Sequence, residues 1–215
     1  MPISNVNSLT RRHILTAVAV GGTAMLIDQR PARSATPAQS FDFTKPLEGW
    51  TTVSGKWAIE DVPGAAKGGR ALVQRATNND FNVIVAPGGP YDDVDVSVRF
   101  KPMSGREDAS GGIVFRFSED RYYVIRANAL EDNFNFYYYD RGRRQISGAN
   151  VKAPALGQWH KLRITAAGDH IQGWLNDQKL IDRQDARFKS GRIGLWTKAD
   201  SVTAFDDLTV TAPSG

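Results

Sequence analysis

Residues 111–144, GGIVFRFSEDRYYVIRANALEDNFNFYYYDRGRR, decide the fold: they read as three consecutive antiparallel strands. Successive strand side chains point to opposite faces, so 121–128 puts Tyr123, Ile125 and Ala127 on one side and Tyr122, Val124, Arg126 and Asn128 on the other. A four-residue loop at 129–132 pairs Asn128 with Asn133, Arg126 with Asn135 and Val124 with Tyr137. The two strands then agree face by face. One side, with Tyr123, Ile125, Ala127, Phe134, Phe136 and Tyr138, is a core surface. The other mixes Arg126, Asn128, Asn133 and Asn135 with the rings of Tyr122, Tyr137 and Tyr139. A three-residue connection at 118–120 would add 111–117 with Ile113, Phe115 and Phe117 in the core and Arg116 on the polar side; a two-residue connection would flip that strand.

The rest of the chain keeps the rhythm. Short runs rich in Val, Ile, Phe, Tyr and Trp recur at 41–43, 57–61, 71–76, 81–86, 94–101, 159–166, 171–176, 192–198 and 201–211. Gly, Pro, Asn or Asp punctuates nearly every gap, and no stretch holds a 3.6-residue period. The pattern predicts an all-β protein, most simply a two-sheet antiparallel jelly-roll sandwich, in one domain over 39–215. On the 159–166 strand, His160 shares a face with Leu162 and Ile164 and reads as a satisfied core histidine rather than a catalytic one.

Residues 1–38 read as an export signal and linker. Arg11 and Arg12 precede an apolar run, 14–27, too short to span a membrane comfortably, and ARSATPA offers small residues for cleavage near Ala35 or Ala38. The paired arginines resemble a twin-arginine signal, so a periplasmic or extracellular location is expected by that route. Asp28 and Arg30 are untypical of a cleavage region, which leaves an uncleaved, tethered form open.

The formal net charge of +4 is concentrated in that segment. Beyond residue 35 there remain 23 basic and 22 acidic residues without a block of like charge, which removes the case for a nucleic-acid partner. The chain has no cysteine, so disulfides, thiol catalysis and cysteine-ligated zinc are excluded.

Four pieces carry a resemblance: FDF…LEGW (41–50), YYVIRANALEDNFNFYYYDRGRR (122–144), GQWHKLRI…GDHIQGWLNDQKL (157–180) and GRIGLWTKADSVTAFDDLTV (191–210). In this order and spacing they resemble the concanavalin A-like lectin/glucanase sandwiches, and among them the 3-keto-disaccharide hydrolase-like family loosely labelled family 16 glycoside hydrolase. The resemblance implies an exported, carbohydrate-facing jelly roll whose concave sheet carries the ligand. One departure matters. Family 16 glucanases carry an E-x-D-x-E strand whose alternate carboxylates share one pocket; here the acidic pairs Asp92-Asp93, Glu119-Asp120, Glu131-Asp132 and Asp206-Asp207 are adjacent residues, which a strand points apart. A retaining mechanism is disfavoured.

Two readings of the polar face stay open. In one, Arg116 and Arg126 hold sugar hydroxyls or a carbonyl oxygen, Asn128, Asn133 and Asn135 supply hydrogen bonds, and Tyr122, Tyr137 or Trp196 offer stacking surfaces. In the other these are solvated positions on a convex sheet. Trp196 shares its face with Gly194 and Lys198, and is either a sugar platform or a lid over a small apolar cluster. If the protein is an enzyme, Glu131 is the first acid/base candidate and Asp200 the second. A 3-keto-glycoside has an acidified proton beside its ketone, so one base and a cationic cradle of Arg116, Arg126 and Lys198 would suffice for elimination. Glu131 as a plain turn residue, and Lys198 with Asp200 as a surface ion pair, are the competing readings. Asp42, Asp206 and Asp207 offer oxygen ligands for a structural calcium, but such residues are common at strand edges, and neither a metal nor a cofactor is expected. The expected partner is carbohydrate, the expected state a monomer without a membrane span in the mature form.

Overall fold

The structure, a computed structural model, describes residues 38–78 and 80–213. All of them fall in one compact unit, Ala35–Gly215. Apart from Ala38, the expected export signal lies outside the described residues. In chain order the strands are β1 (Gln39–Phe41), β2 (Thr51–Ser54), β3 (Trp57–Asp61), β4 (Arg70–Gln74), β5 (Phe81–Val85), β6 (Val94–Ser104), β7 (Ser110–Ser118), β8 (Arg121–Asn128), β9 (Asn133–Tyr139), β10 (Arg143–Asn150), β11 (His160–Ala167), β12 (His170–Leu175), β13 (Gln178–Gln184), β14 (Arg192–Lys198) and β15 (Val202–Thr211). They form two antiparallel sheets. One runs β13-β12-β11-β6-β15-β4-β3, with β1 added on β15; the other runs β10-β9-β8-β7-β14-β5-β2.

The main core lies between the sheets. Val96, Val98, Phe100, Leu162, Ile164 and Phe205 from the eight-stranded sheet meet Ile113, Phe115, Tyr123, Ile125, Phe134 and Phe136 from the seven-stranded one. The two outer faces differ. On β6 the alternation sends Asp95, Ser97, Arg99 and Lys101 outward, with Asp95 paired to Arg163 and Arg99 to Asp206, and only a small apolar cluster of Val62, Ala71, Val73 and Ala204 is buried beside them. The outer face of the seven-stranded sheet is instead a second buried cluster of Val83, Val85, Val114, Tyr122, Val124, Tyr137, Tyr139 and Trp196. The sheet is thus packed on both faces, with Phe81 and Phe117 lying against this outer cluster.

The β8–β9 register is as the sequence predicts, with Arg126 opposite Asn135 and Val124 opposite Tyr137. The β7–β8 pair differs. Ile113 and Phe115 face the core opposite Ile125 and Tyr123, as expected, but Ser118 pairs with Arg121 and the register shifts between Phe115 and Ser118. The connection is therefore two residues long, and a bulge absorbs the extra one. Arg116 occupies it at φ 52°. Beyond the bulge Phe117 lies on the outer face, where it stacks on Tyr122 at 5.7 Å, rather than in the core.

His160 lies beside the core as expected. Its ring packs on Phe100, and its nitrogens meet the Ala155 carbonyl and the Asn176 amide at 3.1 Å each.

Candidate functional site

Residues opposite one another in β8 and β9 set their side chains side by side, and residues two apart on one strand share a face. Arg126, Asn135, Asn133 and Tyr137 are gathered in this way, and the loop after β8 brings Glu131 over them. Arg126 donates to the Asn133 carbonyl oxygen at 2.8 Å, to the Glu131 carboxylate at 3.0 Å and to the Tyr137 hydroxyl at 3.3 Å. Asn135 donates to Tyr137 at 2.8 Å and to Asn133 at 3.0 Å, and Asn133 donates to Glu131 at 3.0 Å. The Arg126 side chain is 5% exposed and that of Glu131 44%. A guanidinium so far out of water needs its counter-ion, and the carboxylate holds it at the rim. Hydrogen bonds from Asn133 and Arg126, against a smaller opposing effect of burial, keep the Glu131 carboxyl below its ordinary pKa.

Asn128 is fully buried next to this network. Its carbonyl oxygen accepts from the amides of Ala109 and Leu130, tying the loop in place. Its Nδ2 lies within electrostatic reach of Glu131 but is not aligned for a hydrogen bond. Arg126 Nε, Tyr139 OH and Trp196 Nε1 are likewise buried without a hydrogen-bond partner. These four atoms lie on the outer face that carries the Arg126 network.

Beside the network lies an open groove of about 620 Å³ floored by Phe81, Phe117, Tyr122 and Tyr139. Tyr122 and Tyr139 stack at 4.5 Å, and Phe81 meets Tyr139 edge-on at 5.0 Å. Burial pushes both tyrosine hydroxyls well above their ordinary pKa, with the Trp196 indole moderating Tyr122 without reaching hydrogen-bond geometry. Arg143, opposite Tyr139 on β10, places its guanidinium 4.9 Å from the Tyr137 ring and 5.8 Å from that of Phe81.

Trp196 is fully buried beneath this floor, stacked on Phe81 at 5.7 Å, so it is part of an apolar cluster rather than an open platform. Gly194 beside it is required by the sheet: a Cβ there would stand 2.5 Å from the Ile84 carbonyl oxygen. Lys198, 24% exposed, pairs with Asp108 at 3.4 Å, too obliquely for a hydrogen bond, and with Glu107 at 3.8 Å, and lines a pocket of about 210 Å³ on the far side of Phe81.

Two expected site residues lie elsewhere. Arg116 is buried at one end of the sandwich, donating to the carbonyls of Phe188 (2.7 Å), Asp92 (3.0 Å) and Gly168 (2.6 Å). It ties three loops together and is remote from the cradle expected of it, because the bulge turns it inward. Asp200 accepts from the backbone amides of Arg106, Glu107 and Asp108 at 2.7, 3.0 and 3.0 Å. Burial raises its pKa, but the three amides outweigh that and leave it below the ordinary value. The candidate calcium ligands are also engaged by protein groups, Asp207 lying 4.0 Å from the same Arg99 that Asp206 holds. Asp42 binds Thr44 and sits 3.6 Å from Lys67, whereas Asp206 takes Ala66 and Arg99. Among the described residues no three His, Cys, Asp or Glu side chains are grouped as a metal site.

Sequence reasoning missed Phe81, Arg143, Asp80, Glu119 and Asp120. The YDRGR turn that returns β10 beside Tyr139 was the available signal for Arg143; nothing local links Phe81 to Tyr139, four strands away.

Two antiparallel sheets packed face to face define a concanavalin A-like β-sandwich. The chain belongs to the 3-keto-alpha-glucoside-1,2-lyase-like domain family, whose model matches residues 37–211. It is 28% identical over 174 residues to the levanase of Bacillus subtilis (strain 168), covering 78% of this chain and 23% of the levanase, so it spans about a quarter of that relative's length. Among solved structures it resembles the carbohydrate binding module CBM66 from Bacillus subtilis (TM-score 0.66, 22% identity, covering 77% of this chain and 97% of the module). The VIP36 exoplasmic/lumenal domain, solved with Ca²⁺ and Man3GlcNAc, is a more distant likeness (TM-score 0.57, 11% identity, 82% and 89%).

Proposed function

We propose that this protein recognises carbohydrate on the outer face of the seven-stranded sheet, with Arg126, Glu131, Asn133, Asn135 and Tyr137 as the polar contacts. The observation that carries this is the Arg126-centred network: a desolvated cation and fixed amides, with ring surfaces alongside, suit an uncharged polyhydroxy ligand. The family match and the likeness to a carbohydrate-binding module support the same reading. Calorimetry on a glycan panel tests it: Arg126→Ala should lose about tenfold or more in affinity, roughly one bidentate charged contact, with the circular dichroism spectrum kept. Unchanged affinity would sink the proposal.

The Glu131–Arg126 pair also favours a catalytic reading on a 3-keto-glycoside. Glu131, ionised at neutral pH, takes the proton from C2; that electron pair becomes the C1=C2 bond, and the glycosidic oxygen leaves with a proton from solvent as the free alcohol. Arg126 stabilises the charge that develops on the ketone oxygen. A carboxyl of lowered pKa is a weak base, adequate because the neighbouring ketone acidifies the C–H. Aglycone release from 3-keto-glucosides but not from matched unoxidised glycosides, abolished in Glu131→Gln, is the expected result; release from neither leaves recognition alone.

We further propose export through the twin-arginine route, for which Arg11, Arg12 and the apolar run after them are the support. Arg11→Lys/Arg12→Lys should retain the protein in the cytoplasm on fractionation. Among the described residues no helix is long and apolar enough to cross a membrane. The expected monomer is tested by light scattering.

A further inference from the structure

Asn133, Asn135, Tyr137 and Tyr139 stand on one face of β9 at two-residue spacing, a row spanning roughly 20 Å. The first three belong to the Arg126 network, and the fourth lines the ring-floored groove. Network and groove are therefore consecutive stations along one strand. Arg143 spans the junction, its exposed guanidinium over the rings of Tyr137 and Phe81 and without an ion pair among the described residues.

The groove has the marks of a second subsite. Its rim carries Asp80, Glu119 and Asp120, all exposed, and none forms an ion pair or side-chain hydrogen bond among the described residues. Of the basic residues beside it, Arg141 is 3.5 Å from Asp140, and Arg143 reaches over Phe81 from the junction. Tyr139 is 6% exposed, and its hydroxyl lies within electrostatic reach of the Arg143 guanidinium without an aligned hydrogen bond. Phe81 and Phe117 are the floor rings that keep partial exposure, so they offer the stacking faces. Unpaired carboxylates accept hydroxyl protons strongly and repel anionic sugars.

We propose that the outer face takes a neutral oligosaccharide of at least three units laid along β9, with a distal sugar ring on Phe81 and Phe117 and its hydroxyls held by Asp80 and Asp120. This rests on the carbohydrate reading above and specifies its ligand.

The test is calorimetry with malto-oligosaccharides and levan oligosaccharides of one to five units, and with trigalacturonate, on the wild type and on Asp80→Ala/Asp120→Ala. Both positions are exposed and unpaired, so the double variant keeps its fold. The expected result is an affinity that rises about tenfold from one to three units of a neutral series in the wild type. The double variant should bind the monosaccharide like wild type and lose the rise. Wild-type binding that is flat with length, a rise that survives in the double variant, or an equal rise with trigalacturonate overturns the proposal while leaving sugar recognition intact. No binding of any neutral sugar by the wild type overturns the carbohydrate reading itself, and this inference with it.

Discussion

Arg126 and Glu131 form a half-buried ion pair 3.0 Å apart, the guanidinium nearly withdrawn from water and the carboxylate at its edge. Because the folded-state pKa of Glu131 lies below the ordinary 4.5, the pair contributes above that value and is lost as pH falls through the depressed one. Ligand affinity should therefore hold from neutrality to about pH 5 and fall below the ordinary carboxylate range. In Glu131→Gln that acid limb should vanish, because no titrating group remains beside Arg126. An unchanged acid limb in Glu131→Gln would assign it to another group.

Arg126→Lys tests whether geometry or charge matters. The guanidinium serves Asn133, Glu131 and Tyr137 from two nitrogens at fixed angles. An ammonium keeps the charge but not the fork. Affinity should fall nearly as far as in Arg126→Ala, by about tenfold. Recovery to within twofold would reduce Arg126 to a point charge.

Arg116 answers to a different measurement. Its three hydrogen bonds to the carbonyls of Phe188, Asp92 and Gly168 hold loops from both sheets. Arg116→Met should cost about 3–5 kcal/mol, since three buried acceptors lose a charged donor. For a domain of this size that is a drop of roughly 10 °C in Tm. Affinity of the remaining folded protein for sugar should not change. A selective loss of binding at constant Tm would return Arg116 to the site.

These two arginines show where the sequence was legible. Arg126 could be placed because alternation on β8 and β9 and the four-residue loop between them fix which residues face each other, and that register depends on nothing distant. Arg116 sits in the same kind of pattern, but a backbone at φ 52° in a bulge reverses its direction, and no residue type announces that bulge. The surroundings of Asp200 and Lys198 were hidden for another reason. Their partners, residues 106–108, are ninety or more positions away, and the β14–β15 corner brings them together. The ring floor is likewise a product of sheet order, since β5 and β9 are separated by three strands between them.

Asp200→Asn separates a loop tie from an acid catalyst. Both carboxylate oxygens of Asp200 are used, Oδ1 by two amides and Oδ2 by one. Asparagine keeps one acceptor and turns an NH₂ toward the Arg106 or Glu107 amide, which costs about 1–3 kcal/mol. Tm should fall by roughly 3–8 °C, with sugar binding and any turnover of 3-keto-glycosides unchanged. Loss of turnover without loss of stability would make Asp200 part of the chemistry.

Trp196 poses the sharpest choice between stability and binding. It is fully buried and stacked on Phe81 at an interplanar angle of 24°. Trp196→Leu removes most of an indole from a packed cluster, and the cavity left should cost about 3 kcal/mol or more. If the ligand rests on Phe81 and Phe117 above, the folded variant keeps its affinity for monosaccharide, held by the Arg126 network, to within about twofold. It should weaken only toward longer oligosaccharides, because Phe81 loses the ring that fixes its tilt. A platform that touches sugar directly would instead lose the short and long ligands together, by roughly the 1–3 kcal/mol of a stacked ring. Comparing Tm and the length dependence of affinity in this one variant decides whether the indole supports the binding surface or belongs to it.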